Sequence, residues 1–387
     1  MLVFPRLHIC QAATDVEPRL VHLRIPYLEY LGSPLPIVRP PNRLKQDFFR
    51  HQHKRSPEAR WAGHAVASSS RDTQYPTTMT AYYPPQSGPT SFHPPGPAPV
   101  NNAPAGTFAP GTKVQVGSHR VVIERYLSEG GFAHVYVVRV PDTNGGHEIA
   151  VLKRVAVPDK EALANMRTEV DTMKKLRGHR HIVKYIDSHA SQLKGGGYEV
   201  FVLMEFCEGG GLIDFMNTRL KDRLREPEIL KIFSDTAEGV ACMHYLKPPL
   251  LHRDLKVENI LISNASGQKL FKLCDFGSAA PPRPAATTAA EGKLIDEDVQ
   301  KHTTMQYRSP EMVDVYRKQP IDEKSDIWAL GVFLYKLCYY TTPFEAQGQM
   351  AVLTASFKYP AYPQFSDRLK MLIGKPTFPR LPSSHSY

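Results

Sequence analysis

The chain has 387 residues, 42% apolar and 22% charged, the balance of a globular protein rather than a fibrous or wholly unstructured one. No apolar run reaches the roughly 18 residues that a membrane-spanning helix needs, and MLVFPRLHICQAATD, broken by a proline and an arginine, does not read as a signal peptide. The net charge of +10 comes from dispersed basic residues without a nucleic-acid-binding signature, and the five scattered cysteines offer neither a disulfide framework nor a zinc site, which fits a reducing, cytoplasmic compartment.

About half of the 34 prolines precede Gly111. The stretch Tyr82 to Gly111 is too rich in Pro, Gly and Ser to build a core, so residues 1–112 are expected to be a disordered tail or linker. Pro94 and Pro97 have the spacing that docks an SH3-type groove, against the plainer reading of a solvated spacer. Met79 is a candidate translation start, because residues 1–78 show no sustained periodicity.

After Lys113 the texture changes. RVVIERYLSEGGFAHVYVVRV alternates and is rich in valine, which predicts two strands around a Gly turn, and GGHEIAVLKRV predicts a third. DKEALANMRTEVDTMKKLRG predicts a helix with the apolar stripe Leu163, Met166, Val170, Met173 and Leu176 and Gly178 as its C-cap. YEVFVLMEFC is another strand, and EPEILKIFSDTAEGVACMHYL a long helix with Pro227 in its first turn. SDIWALGVFLYKLCYY, with Ser325 as N-cap, is apolar nearly all round and is expected to be buried. Strands first and helices later predict an α+β fold: a small sheet lobe, then a helical lobe, with a cleft between.

The chemistry concentrates in LLHRDLKVENILI. His-Arg-Asp with Asn five residues after the Asp is the loop that transfers phosphoryl groups to hydroxyls. Asp254 can accept the proton of an attacking hydroxyl, Lys256 can steady the transferring group, and Asn259 can ligate Mg²⁺. Sixteen residues beyond Asn259, KLCDFGSA supplies Asp275 as a second metal carboxylate, with Gly277 giving the backbone freedom to turn. Upstream, IAVLK ends a strand on Lys153, which can pair with the α- and β-phosphates and be held by Glu169 on the following helix; the competing reading makes both surface charges. FVLMEFCEGGG reads as the hinge between lobes, with Met204 controlling access to an adenine pocket and the backbone of Glu205 to Cys207 bonding the adenine edge. Cys207 is read as packing rather than as a nucleophile.

Residues from about 113 to 372 resemble the eukaryotic protein kinase catalytic domain. SEGGFAHVY, GGGLIDFMNTRL, AEGVACMHYLKPPLLHRDLKVEN, HTTMQYRSPEMVDVY and YYTTPFE resemble the Numb-associated kinase family, and within it the fungal actin-regulating kinases. The resemblance implies a bilobal fold, a small antiparallel β lobe with one helix over residues 113–206 and a larger helical lobe over 207–374, with an atypical tail at 375–387. It implies ATP and Mg²⁺ as cofactors, Ser/Thr of proteins as acceptors, and endocytic adaptors or actin-patch regulators as substrates, in the cytoplasm near the cortex. The nucleotide pocket would be formed by Leu127, Ser128, Gly130, Gly131, Phe132, Ala133, Val135, Ala150, Lys153, Met204, Glu205 and Cys207, with Asn259 and Asp275 below. Against the G-x-G-x-x-G pattern, Ser128, Gly130 and Ala133 keep one glycine; Ser-Glu-Gly-Gly-Phe-Ala is how this family writes the loop.

The segment from Asp275 to Glu311 would be the activation segment, with AAPPRPAATTAAEG low in complexity and expected to be mobile. Thr287, Thr288 and Thr303 are candidate phosphosites, whose phosphate Arg253 could grip. Thr304 would contact Asp254, and Asp326 would bond the backbone of the catalytic loop. The departure from the family lies at the end. KPTFPRLPSSHSY follows the last family-like helix, none of Arg317, Arg368 and Arg380 has the setting of the arginine that pairs with Glu311, and faces of IWALGVFLYKL are expected to be uncovered. This raises a second reading, a shortened, inactive kinase-fold binding module. A small-molecule phosphotransferase is disfavoured by the Ser-Pro-Glu motif and the long activation segment.

Overall fold

A computed structural model describes residues 106–130, 133–141, 145–264, 267–345 and 347–374. Met79, Pro94, Pro97, Gly131, Phe132, Arg380 and the 375–387 tail lie outside the described residues.

The first part is an antiparallel six-stranded sheet in the order β1-β2-β3-β4-β6-β5. Its strands are β1 (Lys113–Val116), β2 (His119–Gly130), β3 (Ala133–Pro141) and β4 (His147–Val157), then β5 (Tyr185–Gln192) and β6 (Tyr198–Glu205) after helix α1 (Lys160–Lys175). Alternation drives the sheet: Val121, Ile123, Tyr136, Val138, Ala150, Leu152 and Leu203 bury one continuous face. β5 escapes the sequence pattern because YIDSHASQ is polar and only Tyr185 is buried; its pairing with β6, not its composition, makes it a strand. Asp159 caps α1 by accepting from the Ala162 N–H, and Leu163, Val170 and Met173 face the core as expected. The C-cap is Leu176 rather than Gly178. The glycine sits two residues later at φ 94°, serving the turn beyond the cap.

Gly106 to Thr112 depart from the expected linker. The Phe108 ring lies 5.6 Å from Tyr136 and 6.2 Å from Phe201, and its N–H donates to the Tyr136 hydroxyl at 3.1 Å. Arg154 stacks its guanidinium 4.4 Å from the Phe108 ring and donates to the Gly106 carbonyl at 2.8 Å. One aromatic side chain therefore docks the end of a Pro-rich stretch that composition alone marks as coreless.

The second part is helical: α2 (Leu212–Asn217), α3 (Glu226–His244), a ribbon of β7 (Ile260–Ser263) and β8 (Leu270–Leu273), then α4 (Ala289–His302), α5 (Pro310–Val313), α6 (Glu323–Tyr339), α7 (Gln349–Leu353) and α8 (Asp367–Gly374). α4 begins inside the stretch expected to be mobile and takes in its last four residues, 289–292. Thr288 accepts from the Glu291 N–H while the Glu291 carboxylate takes the Thr288 N–H, a reciprocal cap that holds the helix start.

α6 begins earlier than expected: its N-cap is Asp322, accepting from the Lys324 N–H at 2.9 Å, not Ser325. Ser325 instead donates to Glu311 at 2.8 Å, and Glu311 is half-buried rather than fully enclosed. Nor are the apolar faces of α6 uncovered. Trp328 stacks on Phe344, Tyr335 and Tyr339 meet Tyr359 and Phe365, and Leu369 and Ile373 of α8 close the same core. The aromatic run between α7 and α8 supplies the cover that helical periodicity alone does not reveal.

Phe108→Ala is expected to lower the stability of the sheet by about 1–3 kcal/mol, reduced from full core values because the ring is half-buried. Thermal denaturation would show an earlier transition, and an unchanged midpoint would mean that the docked segment carries no weight.

Candidate active site

The end of the sheet that carries Gly130 and Lys153 is set by register. Gly130 pairs with Ala133 and Ser128 with Val135, so β2 and β3 stay paired up to the Gly-rich connection. Val135 pairs in turn with Lys153 on β4, which places the lysine at the same level of the sheet as Ser128. Ala150 is fully buried opposite Val138, and Leu127 remains exposed beside the hairpin. Lys153 Nζ donates to Glu169 Oε1 at 2.9 Å, and the glutamate is buried on α1. Burial alone would lower the Lys153 pKa, but the charges of Glu169 and Asp275 more than offset it and leave it raised. The lysine thus stays charged at neutral pH between two carboxylates.

Met204 pairs with Val151 and Tyr185 at the end of β6. The Glu205 carboxylate accepts from Lys272 Nζ at 2.7 and 2.9 Å and from the Lys184 N–H at 2.9 Å. Its side chain therefore ties the hinge to β8, three residues before Asp275. Sequence reasoning missed Lys272, although a lysine inside the apolar run LFKLC is a visible signal. Cys207 is buried and its thiol is pushed up to about 12 by that burial, which suits packing and not nucleophilic chemistry. The hinge then runs close over β7: Gly209 N–H donates to Ile262 O at 2.9 Å, and a Cβ on Gly209 would meet Ile262 at 2.7 Å.

The catalytic loop hangs from Asp326, which lies in the first turn of α6 and is 1% exposed. It accepts the His252 N–H at 2.8 Å, the Arg253 N–H at 2.9 Å and His244 Nε2 at 2.7 Å. Burial would raise its carboxyl pKa; the His244 hydrogen bond and charge, with the His252 backbone N–H, reverse this and hold it lowered. The Asp254 N–H donates to His252 Nδ1, leaving Nε2 to donate to the Cys274 carbonyl, each at 3.3 Å. His252 also lies over the buried Phe276 ring.

Asp254 is the meeting point. Oδ2 accepts from Lys256 Nζ at 2.7 Å, and Oδ1 accepts from the Thr304 N–H at 3.1 Å and its hydroxyl at 2.6 Å. Lys256 also donates to the Thr304 hydroxyl at 3.0 Å. Burial pushes the Asp254 pKa up, but the hydrogen bonds from Lys256 and Thr304 outweigh it, so the carboxyl is held below its usual range. Asn259 is buried and its Nδ2 donates to the Asp254 carbonyl at 2.8 Å, which leaves Oδ1 as the oxygen that can face a cation. The Cys274 N–H donates to the Asn259 carbonyl at 3.0 Å, so Asp275 starts from the loop that carries Asn259. The backbone strain falls on Asp275 (φ 61°) and Arg253 (φ 67°), not on Gly277, whose φ is outside the left-handed region.

One exposed carboxylate and one buried amide oxygen are hard donors with room for phosphate oxygens and water, which fits a divalent ion shared with a bound nucleotide. Among the described residues no group of three or more His, Cys, Asp or Glu forms a self-sufficient metal site. No described helix is long and apolar enough to cross a membrane.

A two-lobed α+β fold with lysine, aspartate and asparagine placed in this order on strand and loops is the architecture of a phosphotransferase. The model of the Protein kinase domain matches residues 121–376, and the chain belongs to that family. A protein kinase domain implies ATP and a divalent metal ion. The chain is 56% identical over 281 residues to Serine/threonine-protein kinase ppk30 of Schizosaccharomyces pombe, covering 72% of this chain and 29% of the relative. It is 56% identical over 281 residues to Actin-regulating kinase PRK1 of Saccharomyces cerevisiae (71% and 34%) and 55% identical over 282 residues to Actin-regulating kinase 1 of the same yeast (71% and 43%). The matched part thus spans between 29% and 43% of the length of these relatives.

Because the folded-state pKa of Asp326 is lowered, its stabilisation is fully present above the unfolded carboxyl value of about 3.9 and is lost as pH falls through the folded value. Asp326→Asn is expected to cost roughly 3–5 kcal/mol at neutral pH. The gap to the wild type should narrow on acidification below about pH 4. Urea denaturation at a series of pH values reads this; parallel stability curves would remove Asp326 from the acid response.

Proposed function

We propose that this chain is an ATP-dependent protein serine/threonine kinase, with lobes at 113–206 and 207–374. The observation that carries the reading is the Asp254 carboxylate, oriented at once by Lys256, by Thr304 of the activation segment and by its neighbour Asn259. Asp254 is the general base: kept ionised by its lowered pKa, it accepts the proton of a Ser or Thr hydroxyl placed beside Thr304. Lys256 steadies the transferring phosphoryl group from the other side of the same carboxylate. Lys153, oriented by Glu169, holds the α- and β-phosphates, and Ser128, Gly130, Ala133 and Val135 cover them. Ala150, Met204, Glu205 and Cys207 line the adenine end. Asn259 and Asp275 would hold Mg²⁺. When bound, Mg²⁺-ATP supplies the γ-phosphoryl group and neutralises its charge.

Its substrates are proposed among actin-patch or endocytic proteins near the cytoplasmic cortex; the relatives named as actin-regulating kinases support the link to actin. Support for Ser/Thr over Tyr comes from Lys256 at its place in the loop and from the Ser/Thr names of relatives.

Asp254→Ala is expected to lower kcat by about 10²–10⁴-fold while Mg²⁺-ATP still raises the melting temperature. Transfer of labelled phosphate from ATP to Ser/Thr peptides measures the first, and a thermal shift the second. Unchanged turnover in the variant would exclude Asp254 as the base.

A further inference from the structure

Asp298, on α4, takes part in no step of the transfer, yet its carboxylate faces two arginines. It accepts from the Arg253 guanidinium and lies 3.5 Å from Arg283 Nη2, and the His302 ring, whose Nδ1 bonds the Asp298 backbone carbonyl at 3.0 Å, comes within 2.9 Å of it. Burial would raise its pKa, but the charges of Arg253, Arg283 and His302 keep it lowered, hence ionised. Arg253 is fixed at three points. Its backbone N–H goes to Asp326, its Nε to the Ser278 carbonyl at 2.6 Å, and its Nη1 to Asp298. Its φ of 67° is a left-handed conformation that costs a non-glycine residue about 1–2 kcal/mol, and such strain persists only where the surroundings over-determine it.

The residue after Arg253 is Asp254, and the chain just past the C-terminus of α4, six residues beyond Asp298, meets it. Thr303, the C-cap, accepts from Arg308 Nε at 2.7 Å, and Thr304 donates twice to Asp254. The C-terminal half of α4 and the residue just past its C-cap thus meet the catalytic loop at two adjacent residues. In kinases that need phosphorylation, a segment phosphate pairs with such an arginine and orders the segment. Here a carboxylate built into α4 already holds it. Thr287 and Thr288, the exposed candidate phosphosites, sit at the opposite end of α4, bonded to Glu291.

We propose that Asp298 is a positioning residue: it holds Arg253, and through it Asp254, so that the transfer geometry forms without a phosphate on the activation segment. This presupposes the kinase reading above.

The test uses the full chain with Mg²⁺-ATP and a Ser/Thr peptide. Asp298→Asn is expected to lower kcat by about 10- to 100-fold, with KM for ATP changed by less than about twofold. Asp298→Glu, which keeps the charge, should recover most of kcat. Wild type treated with phosphatase, and the Thr287→Ala/Thr288→Ala double variant, should keep wild-type kcat. Wild-type kcat in Asp298→Asn, equal losses in the Asn and Glu variants, or collapse of kcat on phosphatase treatment would each overturn the proposal. Asp254→Ala run alongside separates the two levels: if it stays fully active, the kinase reading itself fails, whereas a dead Asp254→Ala beside a fully active Asp298→Asn defeats only the role of Asp298.

Discussion

A carboxylate removed from water is costly unless every lone pair finds a donor, and Asp326 shows the solution on which the site depends. Two consecutive backbone N–H groups, of His252 and Arg253, and the His244 ring all point at it. Because Asp326 belongs to α6, whose side chains fill the core of the helical lobe, the loop is fastened to the most buried helix described. A surface ion pair could not serve in its place, since such pairs contribute at most about 1 kcal/mol and give way to solvent.

From that anchor the remaining functional groups follow by short covalent steps. His252 reaches the strand before Asp275 through the Cys274 carbonyl and covers Phe276. Asn259 bridges back to Asp254 by its side chain and forward to Cys274 by its carbonyl. Asp254 and Asp275 are therefore set by one hydrogen-bonded unit. The sheet lobe contributes separately, through Lys153 and Glu169, and the hinge joins the two parts through the Glu205–Lys272 pair.

Much of this was legible in the sequence because the chemistry is local. HRDLKVEN and DFG place their residues within one loop each, and alternation or helical periodicity marks most elements that carry them. The Asp326 and Thr304 contacts were also expected, and both are present. What stayed hidden depends on tertiary partners. β5 is a strand only because β6 pairs with it; Phe108 is ordered only because Tyr136 and Arg154 receive it. α4 was missed because an alanine- and proline-rich stretch masks the Thr288–Glu291 cap. The α6 start was misplaced because Asp322 and Ser325 offer the same capping chemistry three residues apart, and Ser325 is engaged with Glu311.

Native-state hydrogen exchange at the amides of His252 and Arg253 tests most directly whether a buried carboxylate fixes the loop. Both amides are expected to exchange only through the large opening that also exposes the interior amides of α6, and to lose that protection in Asp326→Asn. Exchange at the rate of exposed loops in the wild type, or protection unchanged in the variant, would contradict the role given to Asp326.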